Sequence, residues 1–252
     1  MVVRFIGIFL CVCVFSQAHA GSLVETIKVI KASMVGVGAF DPLGKPQARL
    51  FGSGFAVHDG HYIATNFHVI DLVLKPKEEF VVFYGKGASP EILKVQVVAT
   101  DRDHDLALLK LTGRTLPSLT LSADYTLKEE GTTIAFTGYP IGAVLGLNPV
   151  THTGIVSSVT PIAIPAPTAN KLSVTLLKRL KNPYEIYQLD ATAYPGNSGS
   201  PVYLADTPEV IGIINKVYVK ESKENLLRDP SAITYAIPAI YLDNLIQDYI
   251  AK

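Results

Sequence analysis

Asp190-Ala191-Thr192-Ala193-Tyr194-Pro195-Gly196-Asn197-Ser198-Gly199-Ser200-Pro201 is the stretch from which the rest of the chain becomes readable. Ser198 stands near two glycines, Gly196 and Gly199, which let the backbone turn sharply. Such a turn can aim successive amide N–H groups at one point. Amides so aimed stabilise the negative oxygen that forms when a hydroxyl attacks a carbonyl. A Gly-Asn-Ser-Gly run by itself is an ordinary turn, and its weight comes from what precedes it. Thr65-Asn66-Phe67-His68-Val69 places a histidine at the end of an apolar strand. Asp105-Leu106-Ala107-Leu108-Leu109 places an aspartate at the start of another. A serine hydroxyl is a weak nucleophile until a base takes its proton, an imidazole can take and return that proton, and a carboxylate can orient the imidazole. The residues for this relay occur in the order His68, Asp105, Ser198. Asp103 would face the same side of a strand as Asp105 and is the alternative acid; Asp101-Arg102-Asp103 otherwise reads as a polar turn.

The 252 residues open on a segment with the features of a secretory signal. Arg4 is the only charge in Met1–Ala20, an apolar run extends from Phe5 to Phe15, and Ala18-His19-Ala20 matches a small-residue cleavage site. A membrane anchor is the alternative, but the run is short of the roughly 20 residues a spanning helix needs. Cys11 and Cys13 are the only cysteines and lie inside this segment, so cleavage after Ala20 leaves a chain without a disulfide. Stability then has to come from core burial. With 22 basic and 22 acidic residues there is no basic stripe for nucleic acid. No histidine pair at ligand spacing and no acidic Ca²⁺ loop is present, and neither a metal nor a cofactor is expected.

Leu23–Lys31 reads as a short amphipathic helix. From Ser33 onward, short β-branched runs alternate with Gly, Pro and Asp: 34–40, 50–57, 62–65, 80–84, 92–100 and 106–111, then 132–137, 154–160, 185–189, 202–204, 210–219 and 232–237. Many short strands at this spacing predict an all-β sandwich or barrel architecture. Pro117–Lys128 is polar enough to be a crossing between two such units. Leu242, Leu245, Ile246, Tyr249 and Ile250 return to helical spacing after Pro238 and predict a closing helix. Lys178-Arg179-Leu180-Lys181, inside Pro161–Pro183, reads as a solvated loop face. His58, His61, His104 and His152 fall in turn-like contexts and are expected at the surface, with His104 pointing away from Asp105.

With these motifs in place, the chain resembles the trypsin-fold serine proteases of the HtrA type. Phe51-Gly52-Ser53-Gly54-Phe55, Gly138-Tyr139-Pro140-Ile141-Gly142, Gly154-Ile155-Val156-Ser157 and Tyr235-Ala236-Ile237-Pro238 all match elements of that family. The resemblance spans nearly everything after the signal. No PDZ domain is expected after the closing helix. Ser200 stands where the family usually has glycine, as in the related glutamyl endopeptidases, but Ile214 follows Gly212-Ile213 where that group has its pocket histidine.

The resemblance implies an all-β fold of two Greek-key barrels, about 33–116 and about 129–238, with a helix over 239–252. It implies an exported serine endopeptidase, periplasmic or secreted, acting on proteins or peptides, with no stable membrane anchor once the signal is removed. His68, Asp105 and Ser198 would be the triad. Gly196 and Ser198 would supply oxyanion-hole amides, with Asn197 holding the turn. The substrate pocket would take its walls from Thr192, Ile214, Asn215, Lys216, Val217 and Ile233, favouring a small aliphatic side chain. Asn197 lacks the charge needed to pair with a newly cut N-terminus, so activation by trimming is not indicated. A homotrimer formed through the N-terminal region is compatible with the family. A binding or chaperone-like protein on the same fold, or an esterase with the same triad, are the alternative functions.

Overall fold

The computed structural model describes residues 22–87, 89–124, 126–140, 147–162, 183–217 and 233–251. The expected signal and the basic patch at Lys178–Lys181 lie outside the described residues. Twelve strands form two closed antiparallel barrels of six strands each, in the orders β1-β2-β3-β6-β5-β4 and β10-β11-β12-β9-β8-β7. The first barrel comprises β1 (Met34–Phe40), β2 (Ala48–Val57), β3 (Tyr62–Asn66), β4 (Glu79–Tyr84), β5 (Glu91–Asp101) and β6 (Leu106–Leu111). The second comprises β7 (Thr133–Gly138), β8 (Val150–Pro161), β9 (Glu185–Asp190), β10 (Pro201–Leu204), β11 (Val210–Val217) and β12 (Ile233–Pro238). Closure leaves neither sheet with an unpaired edge.

Alternating side chains fill each barrel. Val35, Val37, Ile63, Val82 and Leu109 pack inside the first, and Ile134, Phe136, Val156, Leu189 and Val202 inside the second. A third cluster lies between them, joining Phe55, Leu106 and Leu108 of the first barrel to Tyr139, Tyr203, Ile213 and Ile237 of the second. The functional groups described below rest on this shared core. The crossing segment stitches the barrels together: Leu119 N–H donates to Ala56 O over 2.9 Å, and Val210 N–H donates to Thr120 O over 3.0 Å.

Three helices complete the described structure. In α1 (Leu23–Ala32), the Ser22 side chain caps the Glu25 N–H, and Thr26 and Ile30 are buried. The four-residue α2 (Phe67–Ile70) follows β3 directly. Its one turn carries no periodicity; the strand expected over 62–65 ends at Asn66, and His68 stands on the helix and not on the strand. In α3 (Ala239–Ile250), Ala239, Leu242 and Ile246 are buried. This helix lies against β5 and β6 of the first barrel as well as β11 and β12 of the second. Burying side chains such as Leu242 and Ile246 contributes about 1.5–3 kcal/mol each, enough to hold a terminal helix across two units.

Candidate active site

Asp105 opens the site. It occupies the left-handed region at φ 56°, unusual for a residue with a side chain but less so for aspartate. Four hydrogen bonds hold it there. Its carbonyl accepts from Phe67 N–H and from Asn66 Nδ2, each over 3.0 Å. Its Oδ1 accepts the His68 N–H over 2.8 Å, and its Oδ2 lies 2.6 Å from His68 Nδ1. The carboxylate therefore grips the histidine by main chain and ring together. With an acceptor at Nδ1, that nitrogen carries the proton and Nε2 keeps a lone pair. The histidine side chain is 37% exposed and the aspartate side chain 10%. Asp103, the alternative acid, stands in the turn ahead of Asp105, where its N–H binds Asp101 Oδ1 over 3.0 Å.

The nucleophile loop approaches from the second barrel. Gly52 lets it come close: a Cβ built on Gly52 would lie 2.8 Å from Val69 Cγ2 and 2.9 Å from Ser198 O. The residue after His68 and the backbone of Ser198 thus crowd one glycine. Gly196 and Gly199 both have positive φ, 101° and 85°, as the sharp turn requires. Along the loop, Asn197 N–H donates to Tyr194 O over 3.0 Å and Gly199 N–H to Ile214 O over 2.9 Å. Alternating with them in the sequence, the Gly196 and Ser198 N–H groups donate to nothing among the described residues. Two donors without partners among the described residues, alternating with anchored ones, are the arrangement an oxyanion requires.

The Ser198 hydroxyl donates to Asn215 O over 3.1 Å. It therefore points to the backbone of β11 and not to His68. That carbonyl is free because the β11–β12 register shifts between Ile214 and Val217. Asn215, expected as a pocket wall, thus acts on the loop through its main chain. Ile214 is 1% exposed and packs in the second barrel's core with Ala191 and Ala193, so it is a core side chain first. Thr192 is half-buried in the turn after β9. For Lys216, Val217 and Ile233 the pocket assignment rests on side chains outside the described set.

Two histidines depart from expectation. His104 stands in a turn and is half-buried; its Nδ1 lies 2.5 Å from Asp101 Oδ2, and its ring stacks 4.0 Å from Tyr241 and lies tilted 4.5 Å from Tyr184. His152 lies within β8, where its ring stacks 4.8 Å from Phe136, and burial holds its pKa below the usual imidazole value. Both are packing residues; the reason is tertiary, since their partners lie far away in sequence or on another strand.

Reasoning from sequence also missed Ser53. This residue is wholly buried. Its N–H donates to Ser198 O over 2.8 Å and its Oγ donates to Gly196 O over 2.7 Å. The same Oγ accepts Tyr139 N–H over 2.9 Å. A serine between two glycines in β2 was the available signal. Behind the loop, Ser200 Oγ and both polar atoms of the Asn197 side chain are buried without partners among the described residues.

Two closed six-stranded barrels, one bearing a His–Asp pair and the other a serine in a glycine-rich turn, define a trypsin-like peptidase domain. The model of that family matches residues 52–213, well over half of the chain, and the chain belongs to it. Among curated relatives, it is 32% identical over 174 residues to a probable periplasmic serine endoprotease, DegP-like, of Halomonas elongata. It is 33% identical over 175 residues to the protein of the same description from Pseudomonas fluorescens. Each comparison covers 69% of this chain and 31% of the relative, so the chain spans about a third of the length of these proteins. The crystal structure of a serine endoprotease from Yersinia pestis superposes with a TM-score of 0.62 at 23% identity, covering 92% of this chain and 67% of that one. An HtrA-type protease solved with a tripeptide gives 0.63 at 22% identity, covering 90% and 62%. These structural likenesses concern the fold.

Proposed function

We propose that the chain is a serine endopeptidase that hydrolyses peptide bonds through Ser198, His68 and Asp105. The observation that carries this reading is the double hold of Asp105 on His68, which leaves Nε2 as the base. In the reaction, the Ser198 hydroxyl leaves Asn215 O and turns toward His68. Its oxygen attacks the substrate carbonyl carbon as its proton passes to Nε2. The carbonyl oxygen, now negative, is held by the Gly196 and Ser198 N–H groups, with Asn197 keeping the turn. His68 then gives the proton to the departing amine, leaving an acyl ester on Ser198. Water, deprotonated by His68, cleaves that ester and restores the serine.

The substrates proposed are proteins or peptides with a small aliphatic residue before the cut, accepted among Thr192, Ile214, Asn215, Lys216, Val217 and Ile233. Export to the periplasm or beyond the cell is supported by the character of Met1–Ala20 and by the description of the relatives as periplasmic. Among the described residues, no helix is long and apolar enough to cross a membrane. A homotrimer through the α1 region is proposed from the family resemblance. The domain organisation proposed is a signal over 1–20 and a protease domain over 21–252.

A fluorophosphonate probe tests the chemistry. It should label the wild-type protein and leave Ser198→Ala unlabelled, with the two melting at the same temperature. Absence of labelling in the folded wild type would refute the reading in favour of a binding protein on this fold.

A further inference from the structure

We infer that Ser53 is a positioning residue that sets the peptide planes of the nucleophile loop and so holds the Gly196 and Ser198 N–H groups in place. The inference rests on the protease reading above. It begins with the direction of two hydrogen bonds. A backbone N–H can only donate, so Ser53 Oγ accepts from Tyr139 N–H at 2.9 Å. Its own proton is then available for Gly196 O at 2.7 Å. The Ser53 hydroxyl thereby donates its one proton and accepts another, and both ends of the relay are backbone atoms.

Each peptide group near Ser198 has a distinct fate. The plane joining Gly196 to Asn197 is pinned at its oxygen by Ser53 Oγ and at its N–H by Tyr194 O. The plane joining Ser198 to Gly199 is pinned at its oxygen by Ser53 N–H and at its N–H by Ile214 O. The group between them, joining Asn197 to Ser198, has its oxygen held by Ser200 N–H over 3.0 Å and its N–H without a partner among the described residues. One residue of the first barrel therefore fixes two of three consecutive planes; the Gly196 and Ser198 N–H groups belong to the neighbouring planes, Pro195–Gly196 and Asn197–Ser198, and are held through these. Rotating the Gly196–Asn197 plane would change the torsions at Gly196 and Asn197, on which the directions of the adjoining Gly196 and Ser198 N–H groups depend. The Oγ bond opposes that rotation.

Ser53 is tied to the histidine side as well. Its carbonyl accepts from Thr65 Oγ1 over 2.8 Å, and Thr65 lies in β3, three residues before His68. The same residue thus spans the base-bearing strand and the amide-bearing loop, which belong to different barrels. Its zero exposure excludes contact with substrate, so its effect is exerted through Gly196 and Ser198.

The test is Ser53→Ala, which deletes the Oγ bonds and keeps the backbone N–H to Ser198 O. With a valine-ended peptide p-nitroanilide, kcat should fall about 10–100-fold, part of the loss seen when an oxyanion donor is removed outright, with KM within about twofold. Affinity for the matching peptide aldehyde, whose hemiacetal oxygen uses the same amides, should fall in parallel. Ser53→Cys, a weaker donor, should fall between, and supplies the comparison if the alanine variant does not fold. A purely structural role would instead lower the fraction of labelled sites while leaving aldehyde affinity per site unchanged, and that result overturns the proposal. So does kcat within twofold of wild type in both variants. Should the wild type itself neither hydrolyse nor label, the protease reading fails, and the crystal structure of Ser53→Ala still decides here. A rotated Gly196–Asn197 peptide supports the inference and an unmoved one refutes it.

Discussion

Replacing Gly138 by alanine should disturb the nucleophile loop from behind, through a contact whose size can be worked out. A Cβ on Gly138 would stand 2.0 Å from Ser200 Oγ, 2.7 Å from Asn197 Oδ1 and 2.9 Å from Ser53 Oγ. Ordinary contact begins near 3.4 Å, so the first pair is roughly 1.4 Å too close. The Ser200 backbone cannot retreat freely: its N–H is held by Asn197 O over 3.0 Å and its carbonyl by Ile214 N–H over 2.9 Å. Only its side chain can turn aside, and the other two contacts remain. Overpacking of this kind costs about 1–3 kcal/mol, and three contacts at one site place Gly138→Ala near the upper end. Ser200→Gly removes the worst of them. Alone it should be nearly neutral, since it deletes a buried hydroxyl without a partner while adding the roughly 0.5–1 kcal/mol penalty of a glycine. Combined, the two changes should recover about 1 kcal/mol relative to additivity. Urea unfolding at constant slope measures all four corners of the cycle. A cost below about 0.5 kcal/mol for Gly138→Ala, or strict additivity with Ser200→Gly, would refute the packing argument.

Asp105→Asn should keep the fold yet lower kcat by about 10⁴-fold, since an amide does not secure the tautomer with the proton on His68 Nδ1; steady-state kinetics at constant Tm checks this. His152 titrates below its unfolded value because burial disfavours its charged form. The unfolded chain therefore binds the extra proton first. This residue's share of stability is whole above about pH 6.5 and is lost as pH falls through the window below it. His152→Phe should flatten that part of the pH dependence of the urea midpoint, and an unchanged profile would remove His152 as its source. A peptide library should show graded preference for valine or alanine before the cut; dominant cleavage after Lys, Arg or Glu would show the pocket walls to be misplaced.

The barrels were legible because their strands are short, β-branched and bounded by Gly, Pro and Asp. Leu106–Leu111, for example, has the same limits in sequence and structure. β8 begins at Val150, earlier than its apolar run, because Thr151, His152 and Thr153 pair with β7 while offering little hydrophobic signal. The short α2 escaped notice because four residues show no period. His68, Asp105 and Ser198 could be singled out because side-chain chemistry is written in residue identity. The carbonyl of Asn215 could not, because every residue has one. Nor could the role of Ser53, whose Oγ meets a carbonyl 143 residues away. Sequence reasoning finds the groups that react more readily than those that aim them.

The tyrosines around His104 have a consequence for when the protein becomes competent. The turn leading into Asp105 is enclosed by Tyr184, just ahead of β9, and by Tyr241 on α3. Synthesis delivers the aspartate early and its enclosure late. A chain threading outward from its N-terminus would carry its histidine and acid for more than half its length before that enclosure closed around the turn. We expect a delay of this kind to keep Ser198 unreactive until the last helix is in place. Translation intermediates arrested after Pro201 but before Ala239, which already carry Ser198, should accordingly resist the fluorophosphonate probe, and labelling at the full-length rate would show that the enclosure has no part in the timing.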